Sequence, residues 1–185
     1  MKTLLIAGHP DLSQSVVNAA ILDEVGRAFP DMTIRKLCEV APDGVFDIAA
    51  EQFVLAEADL IVWQFPFHWY SLPWLMKKWL DEVFVFGFAH GPGAKLAGKK
   101  LLVSFTTGAP EAAYTGQEGS VGDIREFVAW FDAIAKVCGM DYRGSIWVNG
   151  VSYAARDDAE AIARQQAKAR EYAARLIARI HEIQG

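Results

Sequence analysis

The chain has little cysteine and no concentrated positive charge. It contains two cysteines among 185 residues, and Cys38 and Cys138 stand far apart, outside any CxxC or Cys/His pattern. Such usage favours a reduced, cytoplasmic chain, and we expect no disulfide framework, zinc site or other metal centre. The formal net charge is −5, and lysine and arginine form no long block. We therefore expect small molecules or other protein chains as partners, and no nucleic acid.

Motifs for nucleotide phosphates and segments for the membrane are also lacking. The chain has neither GxxxxGK[ST] nor GxGxxG, which argues against a P-loop NTPase and against a Rossmann dinucleotide-binding domain. The stretch between Asp59 and Lys77 carries no charge, yet polar residues and prolines interrupt it, so we do not interpret it as a membrane span. The apolar run at the N-terminus is too short for a signal peptide and predicts a first strand.

Short apolar segments alternate with helical patterns along the chain. The pattern predicts strands near 3–7, 32–37, 59–65, 100–105 and 144–149, and helices near 15–29, 46–57, 72–84, 121–138 and 156–182. Strands separated by helices form parallel βαβ units, and the length is typical of one domain, 1–185. We predict an α/β fold, a three-layer, doubly wound sandwich whose five-stranded parallel sheet has the flavodoxin-like order 2-1-3-4-5. The second strand alternates and carries charge, which suits an edge.

In such sheets ligands bind outside the carboxyl ends of the strands, so the loops after strands one, three and four should line one site. The first loop offers Ser15, Asn18 and free N–H groups at a helix start, which together suit an anion. His9 is placed to hydrogen-bond a phosphate or a hydroxyl. On this loop alone, an equally good interpretation makes Ser15 only an N-cap and His9 a turn residue.

The second loop carries four consecutive rings, Phe67 to Tyr70. Most aromatic clusters belong to a core, but four rings at a strand-to-helix junction cannot all point inward. We expect Trp69 first, and also Tyr70, to face a ligand or a partner chain. The helix that follows is predicted to start with Ser71 as its cap and Pro73 in its first turn.

The third loop, 106–110, follows a buried strand. Gly108 would let the backbone approach a flat ligand closely, with neighbouring N–H groups donating to its acceptors. Tyr114 lies just downstream and could present its phenol to that ligand. Without the other loops, a half-buried surface tyrosine would be the better interpretation.

Together these segments resemble the flavodoxin-like, DT-diaphorase-like NAD(P)H:quinone oxidoreductase family. The ancillary oxidoreductases of the bacterial glutathione-regulated potassium-efflux system look closest. The matching stretches are HP with S-x-x-N over 9–18, DIAAEQ at 47–52, ADLIVWQFPFHWYSLPWLMKKWLDEVF at 58–84, GFAHGPG at 87–93, LAGKKLL at 96–102 and TTGA at 106–109.

The resemblance implies ping-pong hydride transfer from NAD(P)H through a bound flavin to a quinone. It places the flavin phosphate and ribityl chain at His9, Ser15, Val16, Val17 and Asn18. It places the isoalloxazine edge against Pro66, Phe67, His68 and Trp69 on one side and Thr106, Thr107, Gly108 and Ala109 on the other. Tyr114 takes the place of a tyrosine proposed to aid proton movement, and Trp69 and Tyr70 would meet the substrate.

The chain departs from the family pattern at Ala109, which replaces a glycine, and at His68, where glutamine is frequent. In DT-diaphorase a histidine partners this tyrosine, and this chain has no matching histidine near Ser120. FMN is expected rather than FAD, because the chain is short. The resemblance further implies a cytoplasmic homodimer. Two alternatives remain: an ancillary subunit of a potassium-efflux system, held at the inner membrane by a transporter partner, and a flavin-dependent nitro- or azoreductase of the same fold.

Overall fold

The protein is built on one parallel β-sheet. The structure, a computed structural model, describes residues 1–151 and 158–185. Its strands are β1 (Thr3–Ala7), β2 (Thr33–Lys36), β3 (Leu60–Pro66), β4 (Lys100–Thr106) and β5 (Asp141–Val148). All neighbours pair in parallel, in the order β2-β1-β3-β4-β5. This confirms the predicted fold class and strand order, including β2 as an edge strand.

Helices cover both faces of the sheet. They are α1 (Val17–Ala28), the short α2 (Leu37–Val40), α3 (Ile48–Glu57), α4 (Trp74–Val83), α5 (Ile124–Val137) and α6 (Ala159–Gln184). One-turn 3-10 helices occur at Leu12–Gln14 and Glu111–Tyr114. Right-handed crossovers between parallel strands place successive helices in this layered arrangement.

Two apolar cores result from strands whose side chains alternate between the faces. Trp63, Phe65 and Phe105 belong to the core beneath α3, α4 and α5. Val62 and Leu102 point the other way, into the core beneath α1 and α6. Every residue of β3 is buried, as expected for a central strand covered on both faces.

Several boundaries differ from the prediction. The helix α4 begins at Trp74, with Pro73 as its N-cap and no side-chain cap. Ser71 is therefore not the cap; its backbone instead exchanges two hydrogen bonds with that of His68, at 3.0 and 3.1 Å. The strand β5 starts at Asp141 rather than near 144. The start predicted for the last helix, 156, lies outside the described residues.

A buried carboxylate ties three elements together, and the sequence pattern did not predict it. Glu51 on α3 forms an ion pair with Arg35 of β2. Its other oxygen accepts the indole N–H of Trp79 on α4 at 3.1 Å. Because a buried charge is stable only when it is paired and hydrogen-bonded, Glu51 fixes the packing of α3 and α4 on the edge of the sheet.

Candidate cofactor site at the carboxyl ends of the strands

A cavity of about 310 Å³ opens where β1, β3 and β4 end. Its size is within the range of small-molecule sites, about 300 to 1,000 Å³. The lining residues are His9, Gln14, Ser15, Val16, Val17, Asn18, Pro66, Phe67, His68, Thr106, Gly108 and Val151. The three predicted loops therefore meet in one site, and ten of these twelve residues are ones that the resemblance assigned to a cofactor.

The first wall is the start of α1. The N-cap of α1 is Val16, which has no side-chain cap; the hydroxyl of Ser15, one residue earlier, accepts the N–H of Asn18 in the first turn at 3.0 Å. Within the described residues, the N–H groups of Val16 and Val17 donate to no protein acceptor. Both residues line the cavity. Two orphan donors at the positive end of a helix are suited to bind an anionic group.

Asn18 turns its side chain into the floor of the site. Its Oδ1 accepts a hydrogen bond of 2.7 Å from Nε2 of Gln64. Its Nδ2 donates to the hydroxyl of Thr106 at 3.2 Å. Gln64 was not predicted as a site residue, although a carboxamide inside the apolar strand LIVWQF was a signal that could have identified it.

Two histidines stand at the cavity. Nδ1 of His9 accepts the N–H of Asp11 at 3.1 Å, so this ring is oriented by its own turn. The rings of His9 and His68 meet at 70° with centroids 6.5 Å apart. Burial lowers the pKa of His68 below its ordinary value of 6.5, since a desolvated imidazole resists protonation. His68 is therefore neutral at neutral pH.

Trp69 and Tyr70 lie outside the cavity of the single chain. They form a tight turn with φ of 47° and 66°, a backbone region that large side chains rarely occupy. The side chain of Trp69 is 92% exposed. Tyr70 stacks on Phe127, with centroids 5.0 Å apart. A ligand contact for either ring remains a prediction.

The third wall is formed by Thr106 and Gly108. The neighbouring Thr107 is buried, and its hydroxyl reaches the carbonyl of Ala109 and Oδ1 of Asn149, each at 2.9 Å. Thr107 and Ala109 therefore shape the loop from behind and do not line the cavity. A Cβ added at Gly108 would meet only the carbonyl of Val151 at 3.8 Å, so the protein's own packing does not require glycine there.

Tyr114 also lies beside the cavity without lining it. Its ring meets that of Phe127 edge-on, with centroids 6.3 Å apart. Burial raises the pKa of Tyr114 above its ordinary value of 10.0, so the phenol keeps its proton at neutral pH. Phe127, on α5, was not predicted; one ring within an ordinary amphipathic helix gives no functional signal.

A larger hollow of about 710 Å³ lies at the opposite end of the sheet, against Lys2, Phe29 and Phe53. Parallel α/β sheets bind ligands at the carboxyl ends of their strands, so we do not assign this hollow a cofactor. Among the described residues, no cluster of His, Cys, Asp and Glu is arranged to hold a metal ion. None of the described helices is long and apolar enough to cross a membrane.

A parallel sheet with a helix start and two strand-end loops around one cavity defines an α/β cofactor-binding protein. More specifically, the chain belongs to the flavodoxin-like fold family, which matches residues 1–173. This agrees with the resemblance in the sequence.

Three relatives illustrate the relationship. The chain is 41% identical over 140 residues to the glutathione-regulated potassium-efflux system ancillary protein KefF of Enterobacter sp. (strain 638), covering 75% of this chain and 78% of that protein. It is also similar to the crystal structure of general stress protein 14 of Treponema denticola in complex with FMN, with a TM-score of 0.83 and 35% identity. The match covers 97% of this chain and 99% of that one. A third relative is the crystal structure of an NADPH-quinone reductase from P. pentosaceus, with a TM-score of 0.73 and 30% identity. That match covers 94% of this chain and 98% of the other.

Proposed function

We propose that this protein is an FMN-dependent NAD(P)H:quinone oxidoreductase. The observation that carries the proposal is the composition of the cavity. One end holds the orphan N–H groups of Val16 and Val17, and the other holds apolar and backbone surface at Phe67 and Gly108. An anionic tail joined to a flat ring system matches both ends. The similarity to a chain crystallised with FMN supports this choice.

The residues of the cavity fit the cofactor at both ends. The N–H groups of Val16 and Val17 and the side chain of His9 would hold the phosphate and ribityl hydroxyls. Pro66, Phe67 and Gly108 would contact the ring system, where the missing side chain at Gly108 leaves space. When bound, FMN supplies a two-electron hydride acceptor, and the protein supplies orientation and electrostatics.

The aromatic rim is the proposed substrate side. Tyr70 and Tyr114 both contact Phe127, so α5 holds them as a unit next to the cavity. We assign this rim, together with Trp69, to the nicotinamide and then to the quinone. The neutral phenol of Tyr114 would donate a proton or a hydrogen bond to the substrate oxygen, as a general acid does.

We propose FMN rather than FAD as the cofactor. We also propose that residues 1–185 form a single domain. A homodimer is proposed as well, because Trp69, Trp74 and Phe86 are large aromatic residues left exposed in the single chain, and such surfaces are typical of interfaces. We propose a cytoplasmic location from the two widely separated cysteines, which suit a reducing compartment. Light scattering should give twice the mass of the chain; a monomer with full activity would contradict the dimer.

Purification and steady-state kinetics test the function. The purified protein should be yellow, should contain about one FMN per chain, and should oxidise NADH or NADPH with a quinone as acceptor. One pocket used in turn by both substrates predicts parallel double-reciprocal lines. A colourless chain that fails to bind added FMN would overturn the proposal, and intersecting lines would overturn the shared pocket.

A second candidate function is that of an ancillary subunit of a potassium-efflux system. The 41% identity to KefF favours it. If it applies, the protein should co-purify with a glutathione-gated potassium transporter when both are expressed together, and transporter activity should rise. Full oxidoreductase activity without any association with such a transporter would rule this candidate out.

A further inference from the structure

Three buried polar side chains join α1, β3 and β4 directly beneath the cavity. Asn18, Gln64 and Thr106 are 3%, 0% and 3% exposed. Gln64 donates to Oδ1 of Asn18 at 2.7 Å. The carboxamide of Asn18 and the hydroxyl of Thr106 bond each other at 3.2 and 3.3 Å. We call this set the floor network.

The floor network connects the parts of the protein that form the walls. Asn18 and Thr106 line the cavity, whereas Gln64 lies behind them and does not. Asn18 also belongs to the first turn of α1, next to the orphan donors of Val16 and Val17. A displacement of Asn18 would therefore move these donors relative to the ends of β3 and β4.

Folding alone does not explain a glutamine at position 64. Its Oε1 is buried and has no hydrogen-bond partner within the part of the chain that the structure describes. A buried, unsatisfied carbonyl destabilises a fold, whereas methionine would fill a similar volume without that cost. Among residues 1–151 and 158–185, the side chain of Gln64 bonds only to Asn18, so its contribution to the site is made through Asn18.

We propose that Gln64 is a positioning residue that acts through Asn18 to place the first turn of α1, so that the site prefers a flavin carrying a phosphate over one without it. This inference rests on the proposed flavin-binding function and specifies which part of the flavin Gln64 governs. It also gives Asn18 a different role from the direct cofactor contact implied by the resemblance, because both ends of its carboxamide are engaged by protein groups.

The same sheet offers a matched control. Ser104 on β4 is as buried as Gln64 and shares a hydrogen bond of 2.8 Å with the hydroxyl of Tyr172 on α6. It points to the same side of the sheet but lines no part of the cavity. Ser104 is the cross-strand neighbour of Gln64, and Ser104→Ala removes the bond to Tyr172 but no hydrogen bond of the floor network.

The test compares FMN with riboflavin, which has the same ring and ribityl chain but lacks the phosphate. Dissociation constants are measured by quenching of flavin fluorescence for the wild type, Gln64→Met and Ser104→Ala. Gln64→Met should weaken FMN binding roughly tenfold, as expected for the loss of one well-placed bond, and leave riboflavin binding within about twofold. Ser104→Ala should lower the melting temperature and change neither constant.

Two outcomes would overturn the inference. One is an unchanged ratio of riboflavin to FMN affinity in Gln64→Met, and the other is the same change in ratio in Ser104→Ala. Failure of the proposed function looks different, because then the wild type itself would bind no FMN.

A double-variant cycle tests the route through Asn18. If Gln64 acts through Asn18, adding Gln64→Met to Asn18→Leu should cause no further loss of FMN affinity. Additive losses would contradict that route. Should Gln64→Met not fold, Thr106→Val interrupts the floor network from the other side at nearly constant volume. It should lower the FMN preference in the same way, and an unchanged preference would overturn the inference.

Discussion

The ring of Tyr114 stands edge-on against the ring of Phe127, at 84° and with centroids 6.3 Å apart. Tyr70 stacks on the same phenylalanine at 22°. Phe127 therefore links the loop after β3 to the loop after β4. Edge-on and stacked pairs are both favourable aromatic geometries, so this contact defines where the two phenols lie at the rim of the cavity.

Tyr114→Phe should slow quinone reduction by roughly 10²-fold, the size of a general-acid contribution, while the protein keeps its FMN. The ring contact with Phe127 survives in this variant and only the hydroxyl is lost. Rates are measured by stopped flow at saturating quinone. Tyr142→Phe removes a partly buried phenol at the start of β5, at the end of the sheet away from the cavity, and should leave the rate unchanged. Release of FMN from Tyr114→Phe would show a structural role instead.

Phe127→Leu should loosen both tyrosines and raise the KM for the quinone several-fold. Phe127 also meets the ring of Phe67 edge-on, with centroids 6.5 Å apart, so the loss of its three aromatic pairs should also reduce the free energy of unfolding by about 1.5 to 4.5 kcal/mol. The dissociation constant of FMN should change less than the KM, because Phe127 does not line the cavity and reaches it only through its edge-on contact with Phe67. Phe53→Leu, at a side chain that is 67% exposed, serves as the control. An unchanged KM would separate Phe127 from the substrate side.

His68→Gln should remove part of the acid sensitivity of the flavin-free protein. Burial holds the pKa of His68 below 6.5 in the folded chain, while the unfolded imidazole titrates near 6.5. Below that value the unfolded state binds more protons, so stability falls as the pH is lowered through 6.5 towards the folded pKa. Urea unfolding at about pH 7.5 and about pH 5 should show a smaller drop in the free energy of unfolding for the variant than for the wild type. Equal losses would contradict the effect of burial.

Gly8→Ala should destabilise the protein by about 1 to 3 kcal/mol, the usual cost of overpacking a core. A Cβ at this position would clash with the sulfur of Met76 and lie 2.9 Å from its Cβ, so the end of β1 would move away from α4. Chemical denaturation measures the change.

Gly26→Ala is the matched control for this prediction. Its added Cβ would make an ordinary contact of 3.6 Å with Ile34, and alanine within α1 should stabilise by about 0.5 to 1 kcal/mol. Equal effects at the two glycines would contradict the packing argument.

The fold was largely predictable because the strands carry a strong local signal. Continuous apolar runs such as those of β3 and β4 identified buried parallel strands, and their alternation with helices led to the strand order. The start of α4 was not predictable from its capping signal. Ser71 belongs to a tight turn with His68, and such pairing depends on backbone angles at Trp69 and Tyr70 that the sequence does not specify.

The site residues that lie at the ends of the strands were predictable from the sequence. Residues whose side chains bond to partners far along the chain were not. Val16, Pro66 and Gly108 line the cavity because the ends of parallel strands meet at one edge. Thr107 turns toward Asn149 and does not line the cavity, whereas Asn18 lines it with its carboxamide bonded to Gln64. These bonds join positions distant in the chain, so only the three-dimensional arrangement reveals them.

Anaerobic half-reactions test the central claim most directly. FMN-loaded protein is mixed in a stopped-flow instrument with NADH or NADPH in the absence of any acceptor, and a quinone is added afterwards. We predict that at least one nucleotide bleaches the visible absorbance of the bound flavin completely, and that the quinone restores it in a separate step. If neither nucleotide bleaches the flavin, or if bleaching requires the quinone to be present, the proposed reaction is contradicted.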